Sequence, residues 1–223
     1  MTVAALSALL TFAVAPAMFQ DTPVEIPKKE LPKKAVCVVC AGMGETHGEE
    51  RPAGGMLYKG QRYFFCAANE AKEFAKDPEG YLPPVLPRPA PALDTTDLSG
   101  KKVTLADFRG KVVLLDFWAT WCKPCVASMP ALSRIAARWK DQGLEVVGVS
   151  VDQEPAKVAP FLKKKPVPYT ILLDNPKAPS YGTFRVKVLP SVFLIDREGN
   201  IVAQWKGETK TAEFEQAIER LVK

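Results

Sequence analysis

An α/β fold, with a central mixed sheet flanked by helices and a small cysteine-bearing unit ahead of it, follows from three observations. Residues 111–118, Lys-Val-Val-Leu-Leu-Asp-Phe-Trp, form a near-continuous apolar run of the kind found in strands buried on both faces. Directly after it, Val126, Met129, Leu132, Ile135, Ala136 and Trp139 recur at helical spacing. From there to the C-terminus, strand and helix patterns alternate and close with a hairpin and a last helix.

The elements follow in chain order. Residues 1–20 read as a secretory signal peptide, apolar from Val3 to Val14 and then rich in small residues, with Ala15-Pro16-Ala17 as the cleavage site. The stretch lacks a basic start, and its apolar run is shorter than the about 20 residues that a membrane span needs. Residues 21–35, rich in proline and lysine, are expected to be an extended linker. Residues 36–83 form the small unit. Its hairpin is signalled by Met56-Leu57-Tyr58, the turn Lys59-Gly60-Gln61, and Arg62 to Cys66, and a short helix over 70–76 follows. The proline cluster of residues 84–91 is expected to act as a semi-rigid spacer holding two units apart. Residues 92–223 make the larger domain. After the helix that starts near Cys122 come strand 144–151, helix 155–162, strands 169–173 and 191–196, a turn at 197–200, strand 201–205 and helix 211–222.

The net charge of +5 is spread over the linker lysines and Lys163-Lys164-Lys165, which read as a solvated helix end. Aromatic and basic residues do not interleave into a nucleic-acid surface, so no nucleic-acid partner is expected.

Chemistry concentrates at Cys122-Lys123-Pro124-Cys125, where two thiols are spaced to close a disulfide reversibly. Cys122 falls at the start of the helix, where unpaired backbone N–H groups and the positive end of the helix dipole favour thiolate over thiol. It is the expected nucleophile. Cys125, one turn deeper, suits the second attack that resolves a mixed disulfide. Asp116 is the one acid inside the apolar strand, where burial raises a carboxyl toward neutrality and suits it to exchange the Cys125 proton. Pro124 pre-sets the first helical turn. Trp121, beside the nucleophile, is a candidate for a peptide-docking surface, with Lys123 and Pro124 next to it, whereas Trp118 and Trp139 are expected in the core.

At these residues the chain resembles the thioredoxin superfamily, and more narrowly the extracytoplasmic TlpA/ResA-like thiol-disulfide oxidoreductases. The resemblance rests on residues 98–111, on the block from Asp116 to Cys125 and on Val188-Leu189-Pro190-Ser191-Val192-Phe193-Leu194-Ile195-Asp196. It implies a thioredoxin-like fold and a redox site that needs no cofactor. It also implies that Pro190 is cis and faces the cysteine pair, beside the backbone that docks substrate. Many members carry a glutamate three residues after the second cysteine, where this chain has Ser128, and several carry asparagine where it has Asp116.

Three further cysteines, Cys37, Cys40 and Cys66, lie in the small unit. Soft thiolates suit zinc or copper(I), but three are one short of a closed tetrahedral site. Glu70, the lone His47 or water is the candidate fourth ligand. Here the chain resembles the YHS and related heavy-metal-binding modules, in its Cys-x-x-Cys near Gly-Met, its Tyr-Lys-Gly-x-x-Tyr-Phe-Phe-Cys hairpin and its closing Asp77-Pro78-Glu79-Gly80-Tyr81-Leu82. Ala41 interrupts the usual Cys-Gly-Met junction, and Glu70 stands where metal-binding members often have cysteine. The competing reading is a Cys37–Cys40 disulfide with Cys66 simply buried.

The resulting expectation is an exported, periplasmic or otherwise extracytoplasmic enzyme that reduces protein disulfides. An upstream thiol reductant would supply it, and copper or haem proteins, including those of cytochrome c maturation, are candidate clients. Two alternatives stand beside it: a chaperone delivering copper or zinc, and a peroxiredoxin-like peroxidase. The peroxidase is disfavoured because Ala119-Thr120-Trp121-Cys122 lacks the proline and threonine placement that polarises a peroxide.

Overall fold

The computed structural model describes residues 22–45, 47–207 and 210–223. The segment read as a signal peptide therefore lies outside the described residues, apart from which no described helix is long and apolar enough to cross a membrane.

The small unit is a three-stranded antiparallel sheet of β1 (Val24–Glu25), β2 (Gly54–Tyr58) and β3 (Gln61–Phe65), packed with helices α1 (Val38–Gly42), α2 (Ala68–Lys76) and α3 (Pro78–Tyr81). Lys59 and Gly60 join β2 to β3 with positive φ at both positions, the backbone conformation of a type I′ turn, whose twist matches that of the strands it joins. Phe65 and Phe74 are fully buried at its centre, with Tyr58, Tyr63 and Tyr81 around the Phe74 ring. The expected linker contributes to this unit. Val24 and Glu25 pair with Leu57 and Met56, and Ile26 is buried. Gly55 makes room for that segment, since a Cβ there would lie 2.8 Å from Leu31 Cδ2 and 3.3 Å from Ile26 Cδ1.

The large sheet contains β4 (Arg88–Pro89), β5 (Thr95–Asp97), β6 (Lys102–Val103), β7 (Val112–Trp118), β8 (Leu144–Ser150), β9 (Thr170–Asp174), β10 (Ser191–Ile195) and β11 (Asn200–Lys206). Their spatial order is β4-β11-β10-β7-β8-β9-β5-β6. β7, β8 and β9 run parallel, while β10, β11, β4, β5 and β6 pair antiparallel. The helices are α4 (Lys123–Trp139), α5 (Val158–Lys164), α6 (Ser180–Thr183) and α7 (Thr211–Val222). This is a thioredoxin-like arrangement.

All seven residues of β7 are buried, which explains its unbroken apolar run. Its side chains alternate between two cores. Val113, Leu115 and Phe117 join Phe184, Phe193 and Leu172 on one face. Val112 and Leu114 meet Leu132 and Ile135 of α4 and Phe214 and Ile218 of α7 on the other. Burial of each such side chain is worth on the order of 1.5–3 kcal/mol. By the same alternation Asp116 and Trp118 belong to the α4 face, which puts the strand's acid beneath the helix that carries the cysteines.

The proline cluster differs from a free spacer. Arg88 and Pro89 form the edge strand β4, paired with Ile201 and Asn200, a position where a missing N–H costs no ladder bond. The two units are also in contact: Lys206 Nζ donates to the Gly80 carbonyl at 2.9 Å, and Asp77 forms an ion pair with Lys187 at 2.9 Å. A Cβ on Gly44 would meet the Lys206 carbonyl oxygen at 3.2 Å. The prolines thus run along a sheet edge, and polar contacts on either side hold the small unit against the larger one.

Candidate redox site and thiol–carboxylate cluster

Cys122 and Cys125 form a disulfide at the N-terminus of α4. Cys122 is the helix N-cap, and its sulfur accepts the Cys125 backbone N–H at 3.3 Å. One orphan donor of the helix is therefore aimed at the sulfur. Both cysteines are buried, Cys122 at 6% and Cys125 at 0% exposure, but only Cys122 lines the neighbouring cleft. Ser128, in place of the family glutamate, donates from Oγ to the Cys125 carbonyl oxygen at 2.7 Å.

Asp116 is buried in β7, with Oδ1 lacking a hydrogen-bond partner. Burial alone pushes its carboxyl up to about 7. Its cross-strand neighbours are Gly148 on β8 and Val192 on β10. A Cβ on Gly148 would lie 3.0 Å from Trp118 Nε1 and 2.8 Å from Ile171 Cδ1, so glycine there leaves space for the indole beside the acid. Tyr169 borders the same region, its hydroxyl raised by burial and by the Asp116 charge.

The disulfide opens onto a cleft of about 1220 Å³ lined by Trp121, Cys122, Val151, Val186, Lys187 and Leu189, among others. Trp121 is 68% exposed at its rim, while Trp118 and Trp139 are core residues. Lys123 and Pro124 line the same cleft. The Leu189–Pro190 peptide is cis, and Pro190 lies at the head of β10, next to that wall.

Asp152 organises the approach to Cys122, a role the sequence reading did not assign. Its carboxylate accepts the Thr120 N–H at 2.9 Å, the Thr120 hydroxyl at 2.6 Å and the Ser150 hydroxyl at 2.7 Å. The loop between β7 and α4 is thereby tied to the end of β8. The available signal was an acid directly beyond the C-terminal end of a parallel strand, where α/β folds place their functional loops.

In the small unit, α1 and the end of β3 bring together the sulfurs of Cys37, Cys40 and Cys66 with the carboxylate of Glu70 on the first turn of α2. The four ligand atoms all lie within 4.8 Å of one another. Cys40 and Cys66 sulfurs are 3.6 Å apart, and Glu70 accepts from Cys66 at 3.1 Å, Cys37 at 3.3 Å and Cys40 at 3.5 Å. Tetrahedral zinc with bonds of about 2.3 Å to sulfur sets its sulfurs about 3.8 Å apart, so this donor set fits a soft four-coordinate ion. The three cysteines are free thiols, with no Cys37–Cys40 disulfide. His47 is exposed and groups instead with Glu45 and Cys40.

At Cys40 and Cys66 the proton stays on sulfur. Burial, together with the hydrogen bond to Cys37, pushes the Cys40 thiol up to about 12, and the hydrogen bond to Glu70 followed by burial raises Cys66 as well. For Glu70, burial acts upward but is outweighed by hydrogen bonds from Cys66, the Ala67 N–H, Cys37 and Cys40, which hold the carboxyl below its ordinary range.

Residues 86–204 match the model of the AhpC/TSA family. The thiol-disulfide oxidoreductase ResA of Bacillus thuringiensis subsp. konkukian (strain 97-27) is 35% identical over 132 residues, which covers 59% of this chain and 76% of that protein. The crystal structure of the thioredoxin domain of a thiol-disulfide oxidoreductase from Bacteroides vulgatus is similar at 28% identity and a TM-score of 0.58, covering 63% of this chain and 100% of that one. The exposed lipoprotein thioredoxin Etrx1 of Streptococcus pneumoniae strain TIGR4 is similar at 27% identity and a TM-score of 0.53, covering 59% of this chain and 100% of that one.

Proposed function

The chain belongs to the AhpC/TSA family and is a thioredoxin-like thiol-disulfide oxidoreductase, and from that premise we propose that it reduces protein disulfides outside the cytoplasm through Cys122 and Cys125. The observation that carries this reading is a disulfide at a helix N-terminus, with one sulfur turned to an open cleft and a buried acid on the strand beneath.

In this mechanism the Cys122 thiolate attacks one sulfur of a substrate disulfide, forming a mixed disulfide and expelling the first substrate thiolate, which takes a proton from water. Ionised Asp116 removes the Cys125 proton. The Cys125 thiolate then attacks Cys122 Sγ, closing the Cys122–Cys125 disulfide and releasing the second substrate thiolate. Two electrons have passed to the substrate, and an upstream thiol reductant restores the dithiol. Trp121, Lys123, Pro124 and the backbone beside Pro190 hold the substrate segment in the cleft. Cys122→Ser is expected to abolish reduction of insulin disulfides, and undiminished turnover would overturn the mechanism. The equilibrium potential of the pair against glutathione tests the direction, with a value nearer that of thioredoxin than of strong oxidants expected.

Export is supported by the signal-like residues 1–20 and by the likeness to an exposed lipoprotein thioredoxin. Residues 36–83 act as a YHS-like metal-binding module, with Cys37, Cys40, Cys66 and Glu70 as ligands for zinc or copper(I). A closed set of three sulfurs and one carboxylate would store or deliver the ion. Copper or haem proteins, including cytochrome c in maturation, are then the natural clients of the dithiol. Anaerobic purification followed by elemental analysis is expected to find one equivalent of metal; metal-free protein with a Cys37–Cys40 crosslink would refute this part. Peroxidase chemistry is not favoured, because Cys125 closes a local disulfide with Cys122 and the similar proteins are named for thiol–disulfide exchange.

A further inference from the structure

The corner between α2 and α3 reaches across to the redox cleft. Asp77 closes α2 and opens α3. Its carboxylate lies 2.9 Å from Lys187 Nζ and 3.7 Å from Arg185 Nε. Both cations belong to the segment that runs from α6 to Pro190, and Val186, Lys187, Val188 and Leu189 of that segment form one wall of the cleft.

The contact is packed as well as charged. Lys187 Nζ lies 5.1 Å from the centre of the Tyr81 ring, a cation–π distance. A Cβ on Gly80 would come within 2.4 Å of Asp77 Oδ2 and 2.6 Å of Lys187 Cε, so only glycine admits the pair in this form. The same corner also reaches the second strand beside Pro190. Lys206 donates to the Gly80 carbonyl at 2.9 Å, and the adjacent Gly207 N–H donates to the Pro190 carbonyl at 2.9 Å. Between these holds, the wall is tethered by the Val186 N–H to Tyr181 at 2.9 Å and by Ser191 Oγ–H to the Val188 carbonyl at 2.7 Å.

We propose that Asp77, supplied by the small unit, is a positioning residue for the redox site: it fixes Arg185 and Lys187 and thereby the wall from Val186 to Pro190 along which a substrate peptide lies. The inference rests on the reading of Cys122 and Cys125 as a dithiol acting on peptide disulfides. An isolated exposed ion pair would contribute little. Here one carboxylate holds two cations, and the Asp77 and Lys187 side chains are only 27% and 26% exposed. Because Asp77 touches neither cysteine, its loss acts on how substrate is seated, and the effect falls on KM.

Steady-state reduction of a peptide disulfide by the full chain tests this. Asp77→Asn and Lys187→Met are each expected to raise KM by about three- to tenfold with kcat within about twofold. The double variant is expected to fall short of the sum of the single effects, because the Asp77–Lys187 pair is lost in both. Asp77→Glu restores a low KM, and Gly80→Ala, which forces a methyl between the partners, reproduces the increase. Circular dichroism and thermal melting verify that each variant is folded. An unchanged KM in Asp77→Asn, additive losses in the double variant, or an equal fall in kcat would overturn the proposal. Wild-type protein that leaves the peptide disulfide intact would remove the underlying reading and this proposal with it.

Discussion

The two cysteine sites use the same residue types, thiols and one carboxylate, to opposite effect. At Cys122 and Cys125 the acid lies fully buried on the strand beneath the helix, with Oδ1 lacking any hydrogen-bond partner. Asp116 therefore keeps its proton up to about pH 7, and the cysteines are joined to each other. At Cys37, Cys40 and Cys66 the acid is in contact with all three sulfurs; the Cys40 and Cys66 thiols are raised, so they keep their protons while the carboxylate stays charged. Protonated thiols exchange disulfides slowly, since the thiolate is the nucleophile. Placement of the acid thus separates a site built to pass electrons from one suited to holding a soft cation, which displaces the thiol protons when it binds.

The largest effect that sharpens this contrast is at the nucleophile. Cys122→Ser is expected to lower disulfide reductase turnover by about 10³-fold or more, since the other thiol at the helix N-terminus, Cys125, is fully buried and out of reach of a substrate disulfide. The insulin turbidity assay reads it directly. If a Cys37, Cys40, Cys66 triple serine variant lost turnover to the same extent, the division of labour between the sites would be wrong.

Asp116 comes next. The folded protein holds its proton up to about pH 7, whereas the unfolded chain releases it near 4, so the contribution of Asp116 to stability is greatest below about pH 4, falls between about 4 and 7, and is level above. The cost of the ionised acid at pH 8 is on the order of 4 kcal/mol. Asp116→Asn is expected to recover much of this at pH 8 and to flatten the pH dependence in urea unfolding. It should also slow resolution of the mixed disulfide and erase the rise in that rate as pH passes through about 7. Equal stability of the variant and wild type at pH 8 would show that the acid is solvated.

Asp152 supports the redox site from outside the pair. Asp152→Ala leaves the Thr120 N–H, its hydroxyl and the Ser150 hydroxyl without their acceptor, at an expected cost of about 2–3 kcal/mol. Chemical denaturation measures it, and a loss below about 0.5 kcal/mol would mean that water replaces the carboxylate fully.

For the cluster, Glu70→Ala is expected to weaken zinc binding by about 10- to 100-fold, read by competition with a chromophoric chelator. Zinc affinity should also rise with pH in the wild type, about tenfold per pH unit for each thiol proton displaced. Affinity that is independent of pH would mean that the thiols are already ionised, contrary to the raised Cys40 thiol.

What could be read in the sequence were the features carried by local pattern. The apolar run of β7 with its single acid, the helical spacing after Cys122 and the hairpin around Gly60 each announce themselves within about a dozen residues. The two cysteine groups could also be read, because spacing and residue type encode them. Strands β1, β4, β5 and β6 span two or three residues each and have no period to detect. Their existence depends on partners far along the chain, as with Thr95 against Asp174 or Arg88 against Ile201. Asp152 and Asp77 were hidden for the same reason: their partners, Thr120 and Lys187, are neighbours only after folding.

The smallest expected effect on stability is at Trp121, and it tests whether the redox site ends at its sulfurs. At 68% exposed, the indole is largely solvated, so Trp121→Ala is expected to change unfolding free energy by no more than about 0.5 kcal/mol. An aromatic face kept in water beside Cys122 and on the rim of the cleft is suited to lie on a peptide, and aromatic contacts of this kind contribute about 0.5–1.5 kcal/mol. KM for a peptide disulfide should therefore rise by about two- to tenfold while kcat is retained. The same substitution should leave reduction of a small linear disulfide such as bis(2-hydroxyethyl) disulfide unchanged, because that substrate is too short to reach the indole. Equal losses with both substrates would assign Trp121 to shaping the Cys122 loop. A loss confined to the peptide would extend the contrast between the two cysteine sites, with one opening onto a surface that receives a chain and the other closing around an ion.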